Sequence, residues 1–206
     1  MDLILASSSP RRIELLRQVG FDPRVRKPDV DETVRRGEAP KAMVARLAYE
    51  KAQIIVAALK TDPRKLTLVI AADTTVVAPN GKTILGKPES EKDAVRMLKL
   101  LAGKIHTVHT GYCILGIRAG EPIRCKTRVV TSKVKMRTLD ARLILAYIQT
   151  GEPMDKAGAY GAQGIGMSLI ERLSGSYTNV VGLPMAQLLM DLEKTFGISS
   201  FKYEPA

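Results

Sequence analysis

The sequence predicts an α/β fold on three observations. Leu66-Thr67-Leu68-Val69-Ile70 is apolar or β-branched throughout, as a strand covered on both faces reads. Leu3-Ile4-Leu5-Ala6 is a shorter run of the same kind, and it leads into a helical pattern with Ile13, Leu16 and Val19 on one face. Later strands come in turn-linked pairs separated by further helical stretches, so the two periodicities alternate along the chain.

The bulk properties fit one domain of ordinary globular composition. The chain has 206 residues, 45% hydrophobic and 26% charged, enough to bury a sizeable core. Its apolar runs fall short of the roughly 20 residues that span a bilayer. Met1-Asp2-Leu3-Ile4-Leu5-Ala6 lacks the basic start of a secretory signal. Cys113 and Cys125 lack CxxC spacing and read as small packing residues, so the expected setting is a reducing, cytoplasmic one. The net charge of +11 favours phosphate-bearing partners. Aromatic residues are only 4% and Trp is absent, which argues against a stacking platform for nucleic acid.

In order, the first strand opens into Ser7-Ser8-Ser9-Pro10-Arg11-Arg12. Ser9 suits the N-cap and Pro10 the first helical position, and Gly20 closes the helix. Two arginines in a first turn oppose the helix dipole, so either an anion sits beside them or they are solvated on a plainly capped helix. Asp29-Val30-Asp31-Glu32 is either a solvated charge run or part of a divalent-cation site. Pro40 starts a helix to about Lys60, with Lys51 inside its apolar stripe of Val44, Ala48, Ile55 and Ala58. Such a lysine either snorkels to the surface or takes a buried anionic partner.

Asp73 follows the run at 66–70. It reads either as a turn residue or as a carboxylate at the ligand-binding end of a strand. Asn80-Gly81 marks a hairpin whose return, Thr83-Ile84-Leu85, brings Lys87 back toward Asp73. Ser90 caps a helix to Leu101, closed by Gly103. Strands from Ile105 to Gly116 and from Ile123 to Arg137 form a second hairpin. His106 and His109 lie three apart in its first strand, on opposite faces, and are a poor metal pair. A helix from Leu139 to Thr150 precedes Asp155-Lys156-Ala157-Gly158-Ala159-Tyr160-Gly161-Ala162-Gln163-Gly164. This glycine-rich stretch is either a flexible connection or a loop able to wrap a ligand. A strand from Ser168 to Leu173 and a helix to about Phe196 complete the domain, 1–197, which has room for two lobes around a cleft. Residues 198–206 read as a tail.

Ser9, Arg11 and Arg12 offer donors for phosphate; Glu32 and Asp73 offer carboxylates; Lys51, Lys87 and Lys156 offer cations. That set suits a triphosphate with Mg²⁺ and a carboxylate left to activate water. A non-catalytic nucleotide or nucleic-acid binder is the other reading. Carboxylates among the basic groups speak against it.

The motifs resemble the Maf family of nucleoside triphosphate pyrophosphatases. The matching residues are Leu5-Ala6-Ser7-Ser8-Ser9-Pro10-Arg11-Arg12, Asp31-Glu32, Glu50-Lys51-Ala52, Ala72-Asp73-Thr74, Gly86-Lys87-Pro88, Asp155 through Gly164, and Val181-Gly182-Leu183-Pro184. Their order and spacing cover nearly the whole chain. The resemblance implies an elongated mixed β-sheet flanked by helices, similar to the inosine triphosphate pyrophosphatase fold, and a homodimer. It implies cleavage of a nucleoside triphosphate to monophosphate and pyrophosphate. Asp73 falls on the family's proton acceptor and Glu32, with Asp73, on its metal site, for Mg²⁺ or Mn²⁺. Ser9, Arg12, Lys51 and Lys87 fall on phosphate-binding positions, and Asp155 and Lys156 join them as substrate-binding candidates. Arg11, Thr74 and Gln163 fall on three positions that carry Arg, Thr and Gln in the branch preferring dTTP and UTP. The chemistry agrees, since a Gln amide meets one donor and one acceptor on a uracil or thymine edge.

Overall fold

The computed structural model describes residues 1–60 and 62–200. The tail call at 198–206 therefore falls largely outside the described residues.

The backbone alternates as expected: β1 (Asp2–Ala6), α1 (Pro10–Gln18), β2 (Arg24–Val25), α2 (Pro40–Ala57), β3 (Thr67–Val77), β4 (Ile84–Leu85), α3 (Glu91–Leu101), β5 (Ile105–Arg118), β6 (Glu121–Met136), α4 (Ala141–Gln149), β7 (Ile170–Ser174), α5 (Tyr177–Val181) and α6 (Met185–Phe196). Three short 3₁₀ helices occupy Glu152–Asp155, Ala157–Ala159 and Gly164–Leu169. The sheet is mixed, in the order β2-β1-β3-β5-β6-β7, with β4 added to β3. β1 is parallel to β2 and β3; the other pairings are antiparallel. The expected α/β class with a mixed sheet is what forms. β2 and α5 are the elements that the sequence pattern left unread. β2 has only two exposed residues and therefore no hydrophobic period, and α5 is a single capped turn and a half.

Strand alternation sorts the core onto two faces. Leu68, Ile70 and Ala72 of β3 pack with Leu15 and Leu16 of α1 and Leu188 and Leu192 of α6. Val69 and Ala71 pack with Ala48, Ala52 and Ile55 of α2. A third cluster packs Val76 and Leu85 with α3 and α4. α3 starts as its sequence dictates: the Ser90 hydroxyl accepts from the Asp93 N–H at 3.2 Å.

One feature of this sheet creates the cleft. β1 ends against β3 at the pair Ala6–Ala71, and β4 joins the same edge only at Val76. Between them Ala72, Asp73, Thr74 and Thr75 have no strand partner on that side, while β5 pairs them on the other. Asp73 is therefore not at the end of its own strand, as the sequence suggested; β3 runs on to Val77. It lies just past the end of β1, the neighbouring parallel strand. The expectation put Asp73 at the carboxyl end of a strand; the strand that ends there is β1, not β3.

Candidate active site

Asp73 and Thr74 are adjacent, so they point to opposite faces, and each recruits a different helix. Asp73 faces α2. There the Lys51 ammonium, 6% exposed, donates to Asp73 Oδ1 at 2.7 Å and pairs with Glu32 Oε1 at 2.5 Å. Of the two readings for a lysine in an apolar stripe, the buried anionic partner is the one realised. The helix comes close enough because β5 carries Gly111 opposite Asp73. A Cβ at Gly111 would lie 2.5 Å from Val44 C and 2.8 Å from Ala45 N, both backbone atoms of α2.

The acidic run at 29–32 divides its labour. Asp31 makes a local turn, accepting from the Thr33 N–H at 2.9 Å. Glu32 reaches Lys51. Burial acts to raise the Glu32 carboxyl, but the Lys51 hydrogen bond and charge, with Lys87 and Arg12 beyond, hold it below its ordinary value. Arg46 fixes the loop that carries Glu32. Its guanidinium donates to both Glu38 oxygens at 2.6 and 2.7 Å, to Glu50 at 2.9 Å and to the Thr33 carbonyl at 3.2 Å. The sequence reading missed Arg46. The i,i+4 pair Arg46–Glu50 was visible, but its Glu38 partner becomes evident only when the loop folds back on α2.

Thr74 faces α1 and α5. The expected Ser9 cap is not made: its backbone is extended, but its side chain makes no capping bond. The two arginines differ. Arg11 takes a carboxylate, Asp155, at 3.3 Å. Arg12 takes neutral oxygens instead: Nε donates to the Gly182 carbonyl at 2.8 Å, Nη1 to Ser7 Oγ at 3.2 Å and Nη2 to Thr74 Oγ1 at 3.1 Å. Burial lowers the Arg12 guanidinium pKa, opposed by the charge of Asp73. Three of five guanidinium N–H groups are thus committed within the protein. One on each terminal nitrogen is left for a ligand, a spacing suited to a phosphate. Ser7 went unread as a site residue because serine-rich turns usually cap helices without further duty.

Ser7, Arg11, Arg12, Glu32, Lys51, Asp73, Thr74 and Asp155 line one cleft of about 740 Å³ that also takes in Ser9, Lys87, Lys156 and Gln163. The site residues expected from the sequence therefore meet at one place.

The profile described as Maf-like protein matches residues 2–195. The chain belongs to this family. The dTTP/UTP pyrophosphatase of Acetivibrio thermocellus is 45% identical over 202 residues, covering 97% of this chain and 98% of that protein. The dTTP/UTP pyrophosphatase of Clostridioides difficile is 42% identical, covering 98% of each. That of Methylobacillus flagellatus is 47% identical over 183 residues, 89% of this chain and 87% of that one. Among solved structures, the Ham1 protein of Staphylococcus aureus aligns with a TM-score of 0.41 at 18% identity, over 97% of this chain and 92% of that one.

In this Maf-like protein the glycine-rich stretch is not a flexible connection. Glu152, in the first 3₁₀ helix, ties it to α4 and to the third: its carboxylate accepts from the Tyr147 hydroxyl at 2.8 Å and from the Ile165 and Gly166 N–H groups at 2.9 Å each. Gly158 (φ 72°) lies against Val76 of β3, where a Cβ would be 3.0 Å from a valine methyl. Lys156 donates to Asp155 Oδ1 and to the Glu152 carbonyl at 2.6 Å each. Arg11, Asp155 and Lys156 so join α1 to this loop across the cleft, and Gln163 sits half-buried in the cleft wall.

The histidines bear out the structural reading. His106 bonds the Tyr160 hydroxyl at 2.7 Å and His109 the Thr131 hydroxyl at 2.9 Å. Burial pushes His106 down to about 4, so it is neutral at pH 7. The thiols of Cys113 and Cys125 lie 3.7 Å apart between β5 and β6, within hydrogen-bond reach, and form no disulfide. Among the described residues no three His, Cys, Asp or Glu side chains converge as a closed metal cage, and no helix is long and apolar enough to cross a membrane. Two carboxylates, Glu32 and Asp73, do converge on one ammonium. One or two carboxylates completed by substrate phosphates is the donor set Mg²⁺ ordinarily takes, so these residues fit a divalent cation delivered with a nucleotide.

Proposed function

We propose that this Maf-like protein hydrolyses nucleoside triphosphates, dTTP and UTP among them, to the monophosphate and pyrophosphate. The single observation that carries this is the convergence of Glu32 and Asp73 on Lys51, across the open window of β3 from the free guanidinium edge of Arg12. A pure phosphate binder gains nothing from two carboxylates there, and they would repel its ligand. A hydrolase needs them.

In this mechanism Asp73 takes a proton from a water as its oxygen bonds to the α-phosphorus. The bond from that phosphorus to the β-phosphate bridging oxygen breaks, and pyrophosphate leaves with the electron pair. Arg12 and Lys87 offset the charge gathering on the phosphate oxygens, an effect worth most where it is fixed in advance. Lys51 holds Asp73 and Glu32 in place through its two short bonds. Glu32 and Asp73 would hold the divalent cation, Mg²⁺ or Mn²⁺, which when bound supplies positive charge to the triphosphate. Ser9 and Lys156 contribute further donors. Gln163, with Arg11 and Thr74 beside it, is the proposed reader of the pyrimidine edge. The family resemblance also supports a cytoplasmic location and a homodimer; sedimentation of the purified protein tests the dimer.

The decisive experiment follows pyrophosphate release from UTP by wild type and Asp73→Asn. Loss of at least 100-fold in kcat is expected of a removed general base. An Asp73→Asn rate equal to wild type removes Asp73 from the mechanism.

A further inference from the structure

Behind Thr74 runs a chain of hydroxyls with only one consistent sense. Arg12 Nη2 has no lone pair to offer, so Thr74 Oγ1 must accept from it at 3.1 Å. Thr74 Oγ1 and Thr110 Oγ1 are 2.9 Å apart. Thr110 Oγ1 must in turn donate to the Asn179 carbonyl at 2.8 Å, since a carbonyl only accepts. The Thr110 hydrogen is thereby used, so in the Thr74–Thr110 bond Thr74 donates and Thr110 accepts. The chain reads from Arg12 to Thr74 to Thr110 to the Asn179 carbonyl, with every hydrogen assigned. The alternative acceptor for Thr74, the Gly182 carbonyl, is at 3.4 Å and already takes Arg12 Nε.

Both distal members are wholly buried; Thr110 and Asn179 are each 0% exposed. Asn179 is itself anchored, its amide donating to the Val108 carbonyl at 3.2 Å and to Ser132 Oγ at 2.9 Å. The same short helix, α5, thus supplies the end of the chain through Asn179 and, one residue past its last turn, the Gly182 carbonyl that holds Arg12 Nε. Neither Thr110 nor Asn179 lines the cleft. A threonine at full burial in the middle of β5 has no packing reason to carry a hydroxyl, since valine fills the same volume without a polar atom to satisfy.

We propose that Thr110 is a positioning residue for Arg12. By fixing the sense of the Thr74 hydroxyl it presents a lone pair to Arg12 Nη2, and so holds the two remaining guanidinium N–H groups toward the substrate phosphates. The proposal rests on the phosphate-binding role given to Arg12 above. It also gives Thr74 a second duty, since its hydroxyl is bonded to both Arg12 and Thr110.

The test uses the full chain with Thr110→Val, which keeps the shape, and Thr110→Ser, which keeps the hydroxyl. Steady-state release of pyrophosphate from UTP and dTTP is measured alongside the Tm of each variant. Thr110→Val is expected to lose about tenfold in kcat/KM, chiefly in kcat and by the same factor on both nucleotides, because the lost alignment concerns phosphate and not base. Thr110→Ser should stay within about twofold of wild type. Adding Thr74→Val to Thr110→Val should cost little beyond the worse single change, because both cut one chain. Unchanged kinetics in Thr110→Val overturn the proposal. So do equal losses in the Ser and Val variants, which would mark a role of shape alone, and so does full additivity of the two changes. Failure of the wild type to release pyrophosphate from any nucleoside triphosphate would instead overturn the proposed function.

Discussion

Adding one methyl group at Gly111 should uncouple the two halves of the site. Gly111 has no unusual backbone angle to protect, since it is not among the glycines with positive φ. Its constraint is space. The added Cβ would sit 2.5 Å from Val44 C and 2.8 Å from Ala45 N, where contacts below 3.0 Å are essentially never tolerated and ordinary contact begins at 3.4 Å. The obstacle is helix backbone, which cannot rotate aside as a side chain would. α2 must therefore lift from β5 by about 1 Å, the shortfall on the closer contact. Overpacking of this kind costs about 1–3 kcal/mol. For a chain of this size, that corresponds to a Tm lower by roughly 2–12 °C. The larger effect falls on chemistry. Lys51 is two helical turns from Val44 and rides on the same face, with a 2.7 Å bond to Asp73 at its tip. A displacement of about 1 Å there is worth up to about 100-fold in rate. Gly111→Ala is thus expected to melt a few degrees low yet lose ten- to 100-fold in kcat on UTP, measured by calorimetry and pyrophosphate release. A variant with unchanged Tm and unchanged kcat would refute the claim that the close approach of α2 sets the Lys51–Asp73 contact.

Other perturbations address the remaining parts of the cleft. Gln163→Glu replaces the donor half of the amide with a second acceptor, and should raise KM for UTP and dTTP several-fold more than for a purine triphosphate; an equal loss on all nucleotides removes Gln163 from base reading. Glu152→Ala strands the Ile165 and Gly166 N–H groups and the Tyr147 hydroxyl, at about 1–3 kcal/mol, and should make the loop at 157–169 the first site of limited proteolysis. Glu38 is pulled down to about 2 by its hydrogen bonds from Arg46. Its folded value lies below its unfolded one, so this contribution to stability is complete above about pH 4.5 and is lost as the pH falls toward 2. Glu38→Gln should flatten the Tm profile of the wild type across that window, and a slope identical to wild type would show that the Arg46 clamp is not what titrates there.

The residue types of the site were legible early because each breaks a local rule. Lys51 stands in an apolar stripe, and two arginines occupy a helix start that prefers acids. Asp73 and Glu32 are carboxylates in a chain of net charge +11. Helices and hairpins were legible from period and turn chemistry, as with Ser90 and Asn80-Gly81. β2 was too short to show a period. The Arg46 clamp was silent because its partners Glu38 and Thr33 are loop residues with no fixed spacing to it.

The α/β class, the family and the inventory of charged groups suited to a phosphate can be read from the residues alone. Tertiary structure decided how that inventory is shared out. Alternation along β3 sends Asp73 to Lys51 and Thr74 to Arg12, on opposite faces of one strand. The end of β1 and the late start of β4 leave the window through which both are reached. Gly111 then sets the distance of α2, and Thr110 fixes the sense of the hydroxyl chain behind Arg12. Such choices depend on which strand stops where and how closely a helix lies on a sheet. Both are fixed by contacts between residues far apart in the chain, and no local pattern of residues encodes them.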